Sequence, residues 1–229
     1  MNVFCCPSII NDRPQDLAGL ETSHRSSQSP CETCQVSRSQ YGHYYHLYNR
    51  GNTGENLFRE ERNYAYFLKW YTHHIFPITD TYAYCLMKNH FHFLIRVKDV
   101  AERGQATKKL QPSQAFSNFF NAYTKSMNKA YGRTGSLFEK PFERIEVASE
   151  RYAMQLVVSI HINPQKHGFV HDFRAWPWSS YHALRGQQVT KLARESVIAW
   201  FGNQEQFDFA HQAIQGDCRM ATVLSEQIR

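Results

Sequence analysis

Two apolar segments separated by only two residues constrain the fold of this 229-residue chain more than any other feature. Residues 78–87 and 90–97 are rich in β-branched and aromatic side chains, and Lys88 and Asn89 between them form a tight turn. So short a connection joins antiparallel strands, because parallel neighbours need a crossover of a dozen or more residues. The sequence therefore predicts an antiparallel sheet built around a β-hairpin.

The elements on either side of this hairpin indicate the fold class. Residues 44–48 predict a strand that ends at the turn signature Asn49-Arg50-Gly51-Asn52, and residues 142–147 alternate as a fourth strand. Residues 60–74 and 112–131 carry apolar side chains at three- and four-residue steps, which predicts amphipathic helices. The order strand–helix–strand–strand–helix–strand indicates an α+β fold, namely a ferredoxin-like antiparallel sheet with helices on one face.

The C-terminal part predicts further helices. Ser149 is a suitable N-cap for a helix that runs to Asn163 and is stopped by Pro164. The aromatic segment 176–181 is expected to pack rather than to bind a ligand. Two short helices follow over residues 194–201 and 203–215.

Changes in composition divide the chain into three parts. Residues 1–39 are polar, lack periodicity and predict a variable, disordered N-terminal segment. Residues 40–183 contain the predicted sheet and form the main domain, and residues 184–229 form a C-terminal helical tail.

The N-terminal segment contains four of the six cysteines: Cys5, Cys6, Cys31 and Cys34. Cys31 and Cys34 have the spacing of zinc ligands, but an adjacent Cys5-Cys6 pair is poor geometry for completing a tetrahedral site. The alternative is a reduced, unstructured tail. A structural zinc protein would also leave the motifs described below unexplained.

The composition excludes two classes of protein. An aromatic content of 14% is too high for a wholly disordered chain. No window of about 18 residues is uncharged and apolar, so no membrane span is expected. The N-terminus lacks the basic start and small-residue cleavage site of a secretory signal, and a cytoplasmic protein is therefore expected.

Positive charge is concentrated in the middle of the chain. The formal net charge is +6, and residues 103–151 contain nine Lys and Arg residues against four Glu. A basic stretch with aromatic residues between the charges suits a polyanion such as nucleic acid. The alternative is a solvated helix face.

His90 and His92 are the first candidate site residues. Residues two apart on a strand point to the same face, so both imidazoles reach one site while Phe91 points away. Two adjacent imidazoles bind a divalent metal ion. The alternative is a polar surface pair, because His-x-His alone is not specific.

Ser159 and Asn163 are the second candidate pair. They are four residues apart in the predicted helix and therefore share a face. The Asn163 side-chain oxygen suits the completion of a two-histidine site for Mg²⁺ or Mn²⁺. The alternative for Asn163 is a C-cap before proline.

Four segments together resemble a known family. They occur in the order YYHLYNRG (residues 44–51), AYCLMKNHFHFLI (83–95), GRTGSLF (132–138) and IHINP (160–164). This combination is similar to the single-tyrosine HUH transposases of the IS200/IS605 type, and most similar to the REP-associated tyrosine transposases. The resemblance covers about residues 41–183, and residues 195–211 resemble tails found in that branch.

The resemblance implies metal-assisted cleavage and transfer of single-stranded or hairpin DNA. It makes His90 and His92 ligands of a divalent ion, Mg²⁺ or Mn²⁺, that polarises the scissile phosphate, with Asn163 as third ligand. A tyrosine on the helix attacks that phosphate and leaves a 5′-phosphotyrosine. The candidate DNA contacts are Arg133, Lys140, Arg144 and Lys166.

The chain departs from the family pattern at the nucleophile. Ser159 occupies the tyrosine position, and a serine hydroxyl reaches less far and has a much higher pKa than a phenol, about 10. Tyr152 and Tyr123 are alternative nucleophiles, although Tyr123 fits the apolar stripe of its own helix. The second hypothesis is therefore a domesticated or inactivated relative that binds a DNA hairpin without cleaving it.

Overall fold

The structure of the protein is a computed structural model that describes residues 41–139 and 142–216. Its strands are β1 (Tyr44–Arg50), β2 (Thr79–Leu86), β3 (His90–Val97) and β4 (Glu143–Glu146). Its α-helices are α1 (Glu61–His74), α2 (Pro112–Tyr131), α3 (Glu150–Lys166), α4 (Tyr181–Arg185), α5 (Arg194–Phe201) and α6 (Gln204–Gly216).

The four strands form one sheet in the order β2-β3-β1-β4, and each neighbouring pair is antiparallel. α1 connects β1 to β2 across β3, and α2 connects β3 to β4 across β1. Two interlocked crossovers of this kind define the ferredoxin-like arrangement. The prediction of an α+β fold with this sheet is therefore confirmed.

Aromatic rings attach α1 and α2 to the same face of the sheet. Phe67 of α1 lies 5.2 Å from Phe91 of β3 between ring centroids, and Tyr71 stacks on Phe93 at 4.4 Å. Phe120 of α2 lies 6.0 Å from Phe91. Each ring that is fully buried here contributes about 1.5–3 kcal/mol relative to an exposed one.

α3 packs against β2 and β3 on the opposite face, so the prediction of helices on one face describes α1 and α2 but not α3. His90, whose side chain points away from the Phe91 face, meets His167 at the end of α3, with 4.8 Å between ring centroids. The reason is that residues 81–87 and 91–95 are buried without interruption. Strands that are apolar on both faces need cover on both.

α3 is longer than the sequence predicts. The prediction that Pro164 stops it after Asn163 is wrong, because the helix continues to Lys166. Proline lacks one N–H, but its carbonyl still accepts a hydrogen bond from the Phe169 N–H at 2.9 Å. The additional residues extend the helix surface towards β3.

Other helix ends agree with the sequence. The Ser149 hydroxyl accepts a hydrogen bond from the Tyr152 N–H at 3.2 Å, which confirms the predicted N-cap. α5 has its predicted bounds, and α6 differs by one residue at each end. The sequence did not predict α4, because five residues are too few to show helical periodicity.

The aromatic segment 176–181 covers the outer edge of β2. The Leu86 N–H donates to the Trp178 carbonyl at 2.9 Å, and the Trp176 indole N–H donates to the Leu86 carbonyl at 2.9 Å. Trp178 also stacks on Tyr64 of α1 with ring centroids 4.7 Å apart. The predicted packing role is confirmed, and part of an edge that would otherwise be open to pairing is covered.

A buried chain of hydrogen bonds joins α3 to α6. The Phe207 carbonyl can only accept, so His211 Nδ1, at 2.7 Å, carries the proton. His211 Nε2 then accepts from His161 Nδ1 at 2.8 Å, and His161 Nε2 accepts from the Ser180 hydroxyl at 2.8 Å. His161, Ser180 and His211 are fully buried, so this chain has one direction with both imidazoles neutral.

Two predictions lie outside the described residues. They are the disordered segment 1–39 and the possible zinc ligands Cys5, Cys6, Cys31 and Cys34. Among the residues that are described, no helix combines the length and apolarity needed to cross a membrane.

The buried histidines predict a loss of stability in acid. Burial lowers the pKa of His211 to about 4, whereas the unfolded residue titrates near 6.5. The contribution of neutral His211 to the free energy of unfolding is fully present above pH 6.5. It decreases as the pH falls towards 4, because in this range only the unfolded chain binds the proton. We expect His211 alone to cost about 2 kcal/mol on going from pH 8 to pH 5, measured by urea unfolding. His211→Gln should remove that part of the pH dependence, whereas His171→Gln, at an exposed histidine, should not. Equal slopes of unfolding free energy against pH for the two variants would contradict the assignment of this loss to His211.

Candidate functional site

His90 and His92 project from the same face of β3, as the strand period requires. Their ring centroids are 5.4 Å apart, while Phe91 between them contacts α1 on the other face. His92 is buried, and His90 is partly exposed. The two imidazoles are therefore neighbours at the end of the sheet where β3 begins.

A hydrogen bond at Nδ1 orients each imidazole. His90 Nδ1 lies 2.7 Å from the Asn89 side-chain oxygen, which only accepts, so Nδ1 carries the hydrogen. His92 Nδ1 lies 2.9 Å from Nε2 of His46 on β1. Nε2 is thus the nitrogen of each ring that remains for a ligand, and second partners of this kind are typical of metal-binding histidines.

Both imidazoles are neutral at physiological pH. Burial, followed by the nearby His167 and Arg50, lowers the pKa of His90 to about 3. Burial, followed by His46, holds the pKa of His92 well below its usual value. Neutral imidazole is the form that donates a lone pair to a metal ion.

The C-terminal end of α3 meets the histidines, and one face of the helix leads to it. Ser159, Asn163, Lys166 and His167 follow one another on this face at intervals of four, three and one residues. Lys166 Nζ donates to Ser159 Oγ at 3.4 Å, and its charge contributes to the lowered pKa of His92. Asn163 is partly buried one turn before His167, and since the helix ends at His167, Asn163 is not a C-cap.

Three of the four sequence motifs, residues 44–51, 83–95 and 132–138, meet at this end of the sheet. The Gly51 N–H at the end of β1 donates to the Asn89 carbonyl at 2.8 Å. The Asn52 N–H donates to the Leu137 carbonyl of the glycine loop at 2.9 Å, and His167 approaches from α3. Gly51 is required, because a Cβ there would lie 1.9 Å from the Glu55 carbonyl oxygen.

The donor set fits a divalent ion that is held weakly by the protein alone. No three His, Cys, Asp or Glu side chains converge on one point in the described part of the chain. The donors that the structure places together are Nε2 of His90 and Nε2 of His92, and Asn163 as a third ligand stays a prediction. Two nitrogen donors suit Mn²⁺ better than Mg²⁺, and water or an external anion would fill the remaining positions of a bound ion.

Of the alternative nucleophiles, Tyr123 lies away from this face, and the histidine nearest Ser159 in sequence, His161, also points elsewhere. Tyr123 is fully buried and donates to the Leu57 carbonyl at 2.8 Å, as expected for a core residue. His161 belongs to the buried chain with Ser180 and is no base for Ser159. Tyr152 is partly buried and close enough to Tyr48 to raise the pKa of that phenol, after burial and Glu143.

Tyr48 lies beside the histidines on the sheet. It is paired with His92 across β1 and β3, and its ring is 5.8 Å from the His92 ring. Tyr48 and Tyr152 therefore border the same side of the sheet as the histidine pair, although neither stands at position 159.

The predicted DNA contacts divide into different environments. The Arg133 side chain is only 13% exposed and forms a two-bond ion pair with Glu55, so it braces the glycine loop. Arg144 lies over the ring of Tyr45, on the face away from the histidines. Lys140 lies outside the described residues. Of the three that the structure describes, Lys166 is the one placed near the histidines.

Sequence reasoning missed His46 and His167. The two-residue period of β1 indicates the face on which His46 lies, but only the pairing of β1 with β3 brings it to His92. His167 was missed because the helix was expected to end at Pro164.

Comparison with known proteins shows a likeness to solved structures. No protein family model and no curated protein matches the chain. Among solved structures, the chain is similar to a REP-associated tyrosine transposase bound to a REP hairpin. The two are 17% identical, the match covers 68% of this chain and 92% of the other, and the TM-score is 0.48.

The donor set predicts weak Mn²⁺ binding that an added phosphodiester strengthens. Calorimetric titration with MnCl₂ should show this gain when thymidylyl-thymidine is present. His92→Gln should abolish binding, and Asn89→Ala should weaken it about tenfold or more, because the His90 ring loses its orienting partner. His73→Gln, an exposed histidine on α1, is the control. Equal binding by all variants would exclude this site.

Proposed function

We propose that this chain is a transposase-like protein that binds single-stranded or hairpin DNA at the histidine face of its sheet. The observation that carries the proposal is that residues 44–51, 83–95 and 132–138 meet beside His90 and His92, with His167 of α3 against the His90 ring. Residues of such different sequence position meet here through backbone hydrogen bonds.

The charges around the site suit a phosphodiester backbone. Arg50 and Lys166 are near enough to the histidines to lower the pKa of His90 and His92, respectively. Both histidines are neutral and do not repel a cation that accompanies the DNA. Aromatic side chains that are partly exposed on this side, such as Tyr48, suit stacking on unpaired bases.

Metal-assisted cleavage with strand transfer is the second candidate function. Nε2 of His90, Nε2 of His92 and the Asn163 oxygen would hold Mn²⁺ or Mg²⁺, and a bound ion supplies polarisation of a phosphate oxygen. Ser159 disfavours the covalent step, because a serine hydroxyl reaches less far from the helix than a phenol and has a much higher pKa. Binding without cleavage is therefore the form of the function that we favour.

Hairpin binding should weaken steeply with salt. Neutralising four phosphates of a single strand predicts a loss of about 50-fold in affinity between 50 and 200 mM NaCl. Fluorescence anisotropy of a labelled hairpin with a single-stranded flank measures this, and a blunt duplex of the same composition is the control. Affinity that does not change with salt, or that is equal for the duplex, would contradict the proposal.

The chain should form no covalent adduct with DNA, and Ser159→Tyr should create one. Ser159 and Asn163 share a helix face, so a phenol at position 159 extends toward the groups that would hold the ion, whereas the serine hydroxyl stops short. Lost alignment of a nucleophile costs on the order of several kcal/mol. The measurement is a denaturing gel with labelled hairpin and Mn²⁺.

Ser159→Phe is the matched control for this experiment, because it adds the ring without the hydroxyl. An adduct formed by the unaltered chain would identify another nucleophile, with Tyr152 tested first by Tyr152→Phe. If Ser159→Tyr binds the hairpin but forms no adduct, binding without cleavage is the only function that remains supported.

A further inference from the structure

Lys166 is an exposed residue whose side chain extends along α3 towards Ser159. The two residues are seven positions apart, which is about 10 Å along a helix axis. Side chains on a helix lean toward its N-terminus, so an extended lysine can span this distance. Lys166 Nζ consequently lies 3.4 Å from Ser159 Oγ.

The extended lysine passes along the helix face that fronts the histidines. Asn163 lies between Ser159 and Lys166 on that face, and the charge of Lys166 is felt by His92. The ammonium therefore adds positive charge to a surface whose neighbouring imidazoles are neutral. This placement depends on the continuation of α3 beyond Pro164, without which Lys166 would leave the helix.

We propose that Ser159 and Lys166 together hold one backbone phosphate of the bound DNA without a covalent bond. An ammonium and a hydroxyl 3.4 Å apart donate to the two non-bridging oxygens of a single phosphodiester. The inference rests on the proposed DNA-binding function and specifies its ligand: the phosphodiester that lies opposite His92. In this chain, a charged hydrogen-bonded contact takes the place of a covalent attachment.

The ammonium and the hydroxyl should contribute unequally to this phosphate contact. A lysine ammonium acts on phosphate as a point charge, and the hydroxyl adds a second donor at a fixed position on the helix. Removing the charge should weaken one phosphate contact strongly, whereas removing the hydroxyl should weaken the same contact less. Both changes should act on the same linkage of the DNA and on no other.

The test replaces single phosphates by neutral methylphosphonates along the single-stranded flank of the labelled hairpin. For the unaltered chain, one linkage should be sensitive, with affinity falling about five- to tenfold. In Lys166→Gln, that linkage should become insensitive while the response at every other linkage is unchanged. Ser159→Ala should reduce the sensitivity of the same linkage by a smaller factor.

Lys69→Gln is the matched control, because Lys69 is an exposed lysine of α1, the helix packed on the opposite face. A Lys166→Gln variant that keeps the sensitive linkage, or that weakens all linkages equally, would overturn the phosphate contact and leave the proposed function intact. Failure of the unaltered chain to bind the hairpin at all would overturn the proposed function and this inference with it.

Discussion

β3 presents two different surfaces, and each one requires a partner on its own side of the sheet. Phe91 and Phe93 point into the aromatic layer formed with α1 and α2. His90 and His92 point to the other face, where α3 and β1 supply their neighbours. Because both sets of side chains belong to one strand, the packing of the core and the orientation of the histidine pair are determined together.

The protonation state and orientation of the two imidazoles follow from the burial of His90 and His92. Partial or complete removal from water keeps His90 and His92 neutral, and their Nδ1 partners orient both rings. A surface His-x-His pair would lack both properties, since its rings would rotate and protonate near pH 6.5. Among the described residues, no three His, Cys, Asp or Glu side chains converge on one point.

α3 links this site to the C-terminal part of the described chain. On one side it brings His167 and Lys166 to the histidines, and on the other His161 bonds to Ser180 and His211. The buried chain fixes α6 against α3 by hydrogen bonds that have a single direction. The position of the helix over the sheet therefore depends on residues that never approach DNA in the proposed complex.

The sequence by itself determined the features that depend on local periodicity. The strand and helix order, the shared face of His90 and His92, and the shared face of Ser159 and Asn163 all follow from periods of 2 and 3.6 residues. Only the tertiary structure decided which of these faces meet. The pairing of β1 with β3 brings His46 to His92, the crossing of α3 over the second face brings His167 to His90, and the ion pair with Glu55 commits Arg133 to the glycine loop. These contacts join residues between 46 and 78 positions apart, and local sequence carries no information about which distant partner such a side chain will find.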